Sequence, residues 1–265
     1  MKLKPVSPAA SPRLTDADAR LADAPDDEQL QKRTKKQVER IANLQRTFFA
    51  DGRFALLIVL QGRDASGKDG TIRKVFTGVN PQGVQVTSFK VPTEEELRHD
   101  FLWRIHQRVP PRGMFGIFNR SHYEDVVVTR VNDLVNKATV KARYAQINEF
   151  ERTLSLNGVR ILKFFLHVSR DEQKERLGKR LTSEEKNWKF NPGDLEEREK
   201  WSEYTAAYRD AIRKCNTRWA PWYVVPADNK KVRNYLIART VADTLASLKL
   251  RWPKADEDVI AKALA

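Results

Sequence analysis

The stretch LLIVLQGRDASGKDGTIRKV, residues 56–75, restricts this chain to few architectures. An apolar run feeds Gly62, Gly67 and Lys68, spaced as in the phosphate-binding pattern G-x-x-x-x-G-K, and Ile72, Val75 and Phe76 then recur as on a helix. Strand, loop and helix in that order are the context the motif requires. The glycines let the backbone turn so that successive N–H groups converge on phosphate oxygens, and Lys68 adds a point charge at the helix start. Asp69 follows where the pattern has a hydroxyl for Mg²⁺, so another oxygen must hold the metal. Asp64, inside the loop, could sit beside phosphates only with a divalent cation between them, which makes it the candidate ligand. The alternative is a turn-forming aspartate bonded to its own backbone.

The rest of the chain alternates strands with helices. FALLIVLQG has the length and flanking glycine of a buried strand, and VQVTSFKV (84–91), MFGIFN (114–119), RILKFFLHV (160–168) and WYVVPA (222–227) read likewise. Helical patterns between them imply a parallel sheet covered on both faces, an α/β fold in three layers, α/β/α. Before the loop, Leu30, Val38, Ile41, Leu44 and Phe48 fall at helical spacing, and Gly52 ends the pattern. Thr93 and Glu96 form a capping box ahead of Leu97, Phe101 and Ile105, which predicts one helix with a single apolar stripe. Residues 1–30, rich in Pro, Ser, Ala and Asp, read as a flexible arm, and 31–265 as a single P-loop kinase domain. From about 171 to 216 the sequence is charged and strand-free, as expected of a helical lid inserted between two strands.

Further candidates lie beyond the loop. Asn119 ends the third strand where a second acidic metal ligand is expected, and it can orient a metal-bound water or a phosphate without charge. Arg120 follows at the carboxyl end of that strand, where open α/β sheets place ligands, and its fork suits phosphate; pairing with Glu124 or Asp125 is the alternative. Arg176 and Arg180 are spaced i, i+4 and project from one helix face, so together they could clamp a transferring phosphoryl group, unless Arg176 merely pairs with Glu172. Trp201, Tyr204, Tyr208 and Ile212 suit packing better than base stacking. PADNKKV offers Asp228, Lys230 and Lys231 either to a ligand or to solvent, and His122 suits a structural hydrogen bond better than a phosphorylated nucleophile. No Cys or His spacing resembles a zinc site.

Charge narrows the partner class. Lys and Arg number 49 against 35 Asp and Glu, a net +14 that calls for an anionic partner: nucleic acid, a membrane surface or a phosphate-rich substrate. No apolar run reaches the roughly 20 residues a membrane helix needs. Cys215 is the one cysteine, so no internal disulfide forms and a cytoplasmic setting fits.

These residues resemble the polyphosphate kinases of type 2. The matching pieces are GRDASGKDG, LWRIHQRVPPRGMFGIFNRSHYEDV, EQKERLGKR, NWKF with Asp194, and APWYVVPADNKKVRNY, spread over roughly residues 35–252. The resemblance implies a thymidylate kinase-like P-loop core with a helical lid, Mg²⁺ or Mn²⁺, and phosphoryl transfer between inorganic polyphosphate and a nucleotide. It gives phosphate and metal binding to Asp64, Lys68 and the loop glycines, lid roles to Arg176 and Arg180, and a phosphate to Arg120. The phosphate- and nucleotide-binding candidates are then Gly62, Arg63, Ala65, Ser66, Gly67, Asp69, Gly70, Asn119 and Glu124. Where many relatives read Asp-Arg-Ser-Trp-Tyr, this chain has Asn119-Arg120-Ser121-His122-Tyr123, similar to the subgroup accepting both AMP and ADP, with ATP as final product. A homo-oligomer, dimer or tetramer, is expected, without nucleic-acid or membrane partners. An ATP-dependent nucleoside monophosphate kinase and a basic nucleic-acid-binding protein with a vestigial loop are the alternatives.

Overall fold

The structure is a computed structural model that describes residues 1–8, 10–188, 191 and 193–254. Among these residues five strands form one parallel sheet, ordered β2-β3-β1-β4-β5. They are β1 (Ala55–Gln61), β2 (Val84–Ser88), β3 (Phe115–Asn119), β4 (Val159–His167) and β5 (Trp222–Pro226). The helices are α1 (Asp27–Asp51), α2 (Lys68–Val75), α3 (Glu94–Leu97), α4 (Trp103–His106), α5 (Glu124–Val131) and α6 (Lys137–Leu156). After β4 come α7 (Arg170–Leu181), α8 (Glu184–Asn187), α9 (Gly193–Glu199) and α10 (Trp201–Lys214), and α11 (Lys230–Ser247) follows β5.

All seven residues of β1 are buried because both sheet faces are covered. Leu56, Ile58 and Leu60 point to a core built with α1, α2 and α11, whereas Leu57 and Val59 meet side chains of α5, α6 and α10. Burying each of these apolar side chains contributes about 2 kcal/mol. The resulting three-layer α/β/α sandwich is the architecture expected of the P-loop kinase core. Strand order reverses at β1, between β3 and β4, so the loop leaving β1 lies in the crevice where such sheets bind ligands. Gly52 ends α1 at φ 64°, a left-handed cap that glycine adopts without strain.

Three segments depart from the sequence reading. Parts of residues 1–30 lie against the core: the Val6 N–H donates to Trp222 O at 2.8 Å, Leu14 and Ala19 are buried, and α1 already starts at Asp27. The capping box of Thr93 and Glu96 forms, but its helix stops at Leu97 and a separate turn, α4, carries Ile105. Leu97 is exposed while Ile105 is buried, so the expected single stripe is split. The stretch 171–216 also divides: Tyr204, Ala207, Tyr208, Ala211 and Ile212 of α10 are core residues, which leaves α8, α9 and the end of α7 as the outlying part. Of the motif NWKF, Lys189 and Phe190 lie outside the described residues, as do 255–265 of the expected domain. No described helix is long and apolar enough to cross a membrane.

Candidate active site

Side-chain donors hold the carbonyls of the loop between β1 and α2. Lys68 Nζ donates to Gly62 O at 2.7 Å and Arg63 O at 3.2 Å, Gln173 Nε2 to Asp64 O at 3.1 Å, and Arg176 Nη1 to Ala65 O at 2.9 Å and Ser66 O at 3.2 Å. Arg233 Nη1 adds a second bond to Ser66 O at 3.1 Å. With the carbonyls so held, the loop N–H groups are left for an anion at the N-terminus of α2. Backbone shape fits this: Gly62 and Gly67 have φ 152° and 99°, and Ala65 takes φ 61° at a cost of about 1 kcal/mol. A Cβ at Gly62 would come within 2.7 Å of Leu166 O, and one at Gly67 would collide with the Arg233 guanidinium. Gly62 is therefore required by backbone contact, and Gly67 by its dihedral angle.

Charge in the site is balanced across β1 and β3. Arg120, at φ 63°, directs Nη2 to both carboxylate oxygens of Asp64, at 2.7 and 2.9 Å, and lies 3.6 Å from Glu124. Burial works against the ionised Asp64, but Lys68 and Arg120 outweigh it and hold the carboxyl down at about 2. Burial likewise pulls Lys68 below its usual range, opposed by Asp64. Burial acts against the Arg120 charge, and Glu124 and Asp64 more than offset it, so its pKa is raised. Burial and the Asp64 charge push Asp194 up to about 6 and Glu197 to about 7. Asn119 donates to Asp69 at 2.8 Å, which joins the end of β3 to the first turn of α2.

A cavity of about 550 Å³ opens above the loop. Seven basic side chains line it against three acidic ones, Asp64, Asp69 and Glu185. Besides Lys68 and Arg120, the basic set includes Arg73 from α2, Lys179 and Arg180 from α7, and Lys230 at the start of α11. Arg180 faces the cavity while donating to Asp194 Oδ2 at 3.0 Å.

Arg176 takes a different place from the paired clamp expected with Arg180. Its Nε donates to Glu172 at 2.7 Å, Nη1 to the two loop carbonyls, and Nη2 to Ala227 O and Asp228 O at 2.7 Å each. All five of its N–H groups are committed, so Arg176 joins α7 to the phosphate loop and to the loop after β5. Asp228 serves Ser169 and Arg20, and Lys231 pairs with Asp27. Neither touches the cavity. Arg63 also turns away: it lies 3.8 Å over the Trp201 ring and donates to Trp201 O and Thr205 Oγ1. Burial lowers its pKa to about 10. Missing from the sequence reading were Gln173, Glu197 and Arg233, each of which meets a phosphate-loop residue over a hundred residues away in the chain.

Beneath Arg120 lies a buried polar network. Lys163 Nζ donates to Glu151 Oε2 at 2.6 Å, to Tyr123 Oη at 2.7 Å and to Cys215 O at 2.6 Å, and Tyr123 Oη donates to Glu151 Oε1 at 2.8 Å. His122 Nε2 is 3.2 Å from the same carboxylate oxygen, and the ring is wholly buried. Burial lowers the pKa of His122, so the ring is neutral and donates from Nε2. It faces the core and cannot receive a phosphoryl group from the cavity.

Comparison with known proteins gives a consistent result. Residues 24–252 match the family described as Polyphosphate kinase 2. The chain is 54% identical over 215 residues, 81% of it and 80% of the relative, to the AMP/ADP-polyphosphate phosphotransferase of Meiothermus ruber. It is 44% identical over 232 residues, 83% of it and 80% of the relative, to the ADP-polyphosphate phosphotransferase of Rhodopseudomonas palustris. Polyphosphate kinase 2 of Arthrobacter aurescens superposes with a TM-score of 0.88 at 42% identity, covering 98% of this chain and 90% of that one.

Proposed function

Because the chain belongs to the polyphosphate kinase 2 family, we propose that its loop-centred cavity transfers the terminal phosphoryl group of inorganic polyphosphate to AMP and ADP, giving ADP and ATP. The observation that carries this reading is the excess of basic over acidic side chains around a cavity centred on a phosphate loop. A polyphosphate chain bears about one negative charge per internal phosphate, and such a surface offsets that charge along several units at once. The two relatives differ in the acceptors their names give, and the one with higher identity accepts both.

The described side chains suit a divalent cation of the Mg²⁺ or Mn²⁺ kind. No three carboxylates, histidines or cysteines cluster as a metal cage among the described residues. Mg²⁺ takes one or two carboxylates and completes its shell with water and phosphate oxygens, and Asp64, the carboxylate inside the phosphate loop, would be its protein ligand. Burial and the Asp64 charge raise Asp194 to about 6 and Glu197 to about 7, and a cation held at Asp64 would relieve that repulsion. When bound, the ion supplies charge neutralisation between phosphate oxygens.

The chain's own groups do the rest. Loop N–H groups bind the phosphate next to the transfer point, and Lys68 swings from Gly62 O and Arg63 O to that phosphate. Arg120 exchanges Asp64 for a phosphate oxygen, and Arg180 comes to the transferring group from α7. In-line attack by the nucleotide's terminal phosphate oxygen breaks the polyphosphate P–O bond, leaving a chain one unit shorter. Burial of His122 supports direct transfer without a phosphohistidine. The buried Cys215 fits a reducing, cytoplasmic setting.

The test is a comparison of donors: AMP with either polyphosphate or ATP, each with Mg²⁺. Transfer from polyphosphate is expected. Transfer from ATP and none from polyphosphate would identify an ordinary nucleoside monophosphate kinase instead.

A further inference from the structure

Arg233 stands beside the phosphate loop, against Gly67 and Ser66. It is 2% exposed, and it projects from α11 without itself lining the cavity. Its three hydrogen bonds all go to neutral acceptors: Nη1 to Ser66 O at 3.1 Å, and Nε and Nη2 to Asn234 Oδ1 at 3.2 and 3.0 Å. Among the described residues no carboxylate pairs with it, and its nearest charged influence is another cation, Arg176. Burial and that neighbour lower its pKa to about 9, which leaves it charged at neutral pH. The guanidinium fills the space beside Gly67 where a side chain would begin and lies 3.5 Å from a Cβ placed at Gly70, so it flanks the first turn of α2.

A buried, unpaired guanidinium is a poor way to hold a fold together. Its desolvation costs several kcal/mol, and well-packed apolar side chains often replace buried ions at no loss. The arrangement becomes favourable when an anion binds in the cavity, because the guanidinium lies against Gly67 and Gly70, which line that cavity.

We propose that Arg233 is a positioning residue for the phosphate loop: it holds the Ser66 carbonyl and supplies a counter-charge that polyphosphate, not a protein carboxylate, satisfies. This rests on the reading of the loop as the polyphosphate site. Arg233 touches no substrate; it acts through the loop.

The experiment measures thermal stability with and without tripolyphosphate, and tripolyphosphate affinity by calorimetry in the presence of Mg²⁺, for the full chain, Arg233→Met and Arg233→Lys. Arg233→Met is expected to melt at or above the unaltered protein when no ligand is present, yet to bind tripolyphosphate at least about tenfold more weakly and to gain less stability from it. Arg233→Lys, with the charge but a single nitrogen, falls between them, and kcat with AMP follows the same order. An Arg233→Met chain that fails to fold overturns the proposal, because the arginine is then a structural brace. Unchanged affinity in that variant overturns it as well, with the site reading intact. No binding by the unaltered protein overturns the site reading itself.

Discussion

Arg120 Nη2 reaches both carboxylate oxygens of Asp64, at 2.7 and 2.9 Å, so a candidate phosphate ligand and the candidate metal ligand satisfy one another before substrate arrives. On the proposed reading, loading the site would part them, with phosphate at the guanidinium and the carboxylate left for a cation. Arg120→Ala is therefore expected to lower kcat/KM for polyphosphate by about 10² to 10³, as for other groups aimed at transition-state charge. Steady-state kinetics on the purified variant checks this, with circular dichroism to establish that the fold survives.

Asp64→Asn keeps the shape of the side chain and removes its charge. Activity should fall by about 10² or more, and the concentration of Mg²⁺ giving half-maximal rate should rise. A variant with unchanged Mg²⁺ response would show that another group holds the ion.

Glycine substitutions separate loop function from backbone strain. Gly67→Ala meets a positive φ and the Arg233 side chain together, and is expected to abolish measurable transfer. Gly52→Ala meets positive φ with nothing within 4 Å, so it should cost only about 1 kcal/mol of stability and leave kcat alone.

Stability should fall with acid in a way that depends on His122. Its pKa in the folded protein lies below the ordinary 6.5, because burial disfavours the imidazolium. Above pH 6.5 the ring is neutral in both states; as pH drops below that value the unfolded chain takes the proton first, and stability is lost. Burial opposes the charge of Glu151, but Lys163 and His122 lower its pKa overall, so it adds a loss of the same sign below its ordinary 4.5. Asp125, raised to about 6 by burial, acts in the opposite direction between about 6 and 3.8. The difference between melting curves of the unaltered chain and His122→Gln isolates the histidine, and should shrink as pH falls from 6.5 to about 5.

Removing one partner of the buried ion pair is a separate matter. Lys163→Met leaves the buried Glu151 carboxylate with only Tyr123 and His122 as partners and no counter-charge, and a loss of about 3 to 5 kcal/mol is expected from denaturant unfolding.

What the sequence made legible was local. The β1 strand, the glycines, Lys68 and α2 lie within 21 consecutive residues, 55–75, and each element specifies itself by pattern. Arg176 misled because helical spacing tells which residues share a face, whereas its acceptors are backbone carbonyls from two distant loops. Gln173 and Arg233 had no signal for the same reason: 109 and 167 residues separate them from the loop carbonyls they hold. The α10 helix was assigned to the lid on its charged exterior, although its buried stripe of Tyr204, Tyr208 and Ile212 was correctly read as packing. The first 30 residues looked like an arm because Pro, Ser and Asp carry no period, and the backbone bond from Val6 to Trp222 is invisible in composition.

The central claim is that polyphosphate is the donor and AMP an acceptor. Incubating the purified chain with AMP, Mg²⁺ and long-chain polyphosphate, with no ATP added, and separating nucleotides over time tests it most directly. ADP should appear first and ATP after it. Failure to form either nucleotide from polyphosphate, under conditions where the same protein moves a phosphoryl group from ATP to AMP, would contradict the claim.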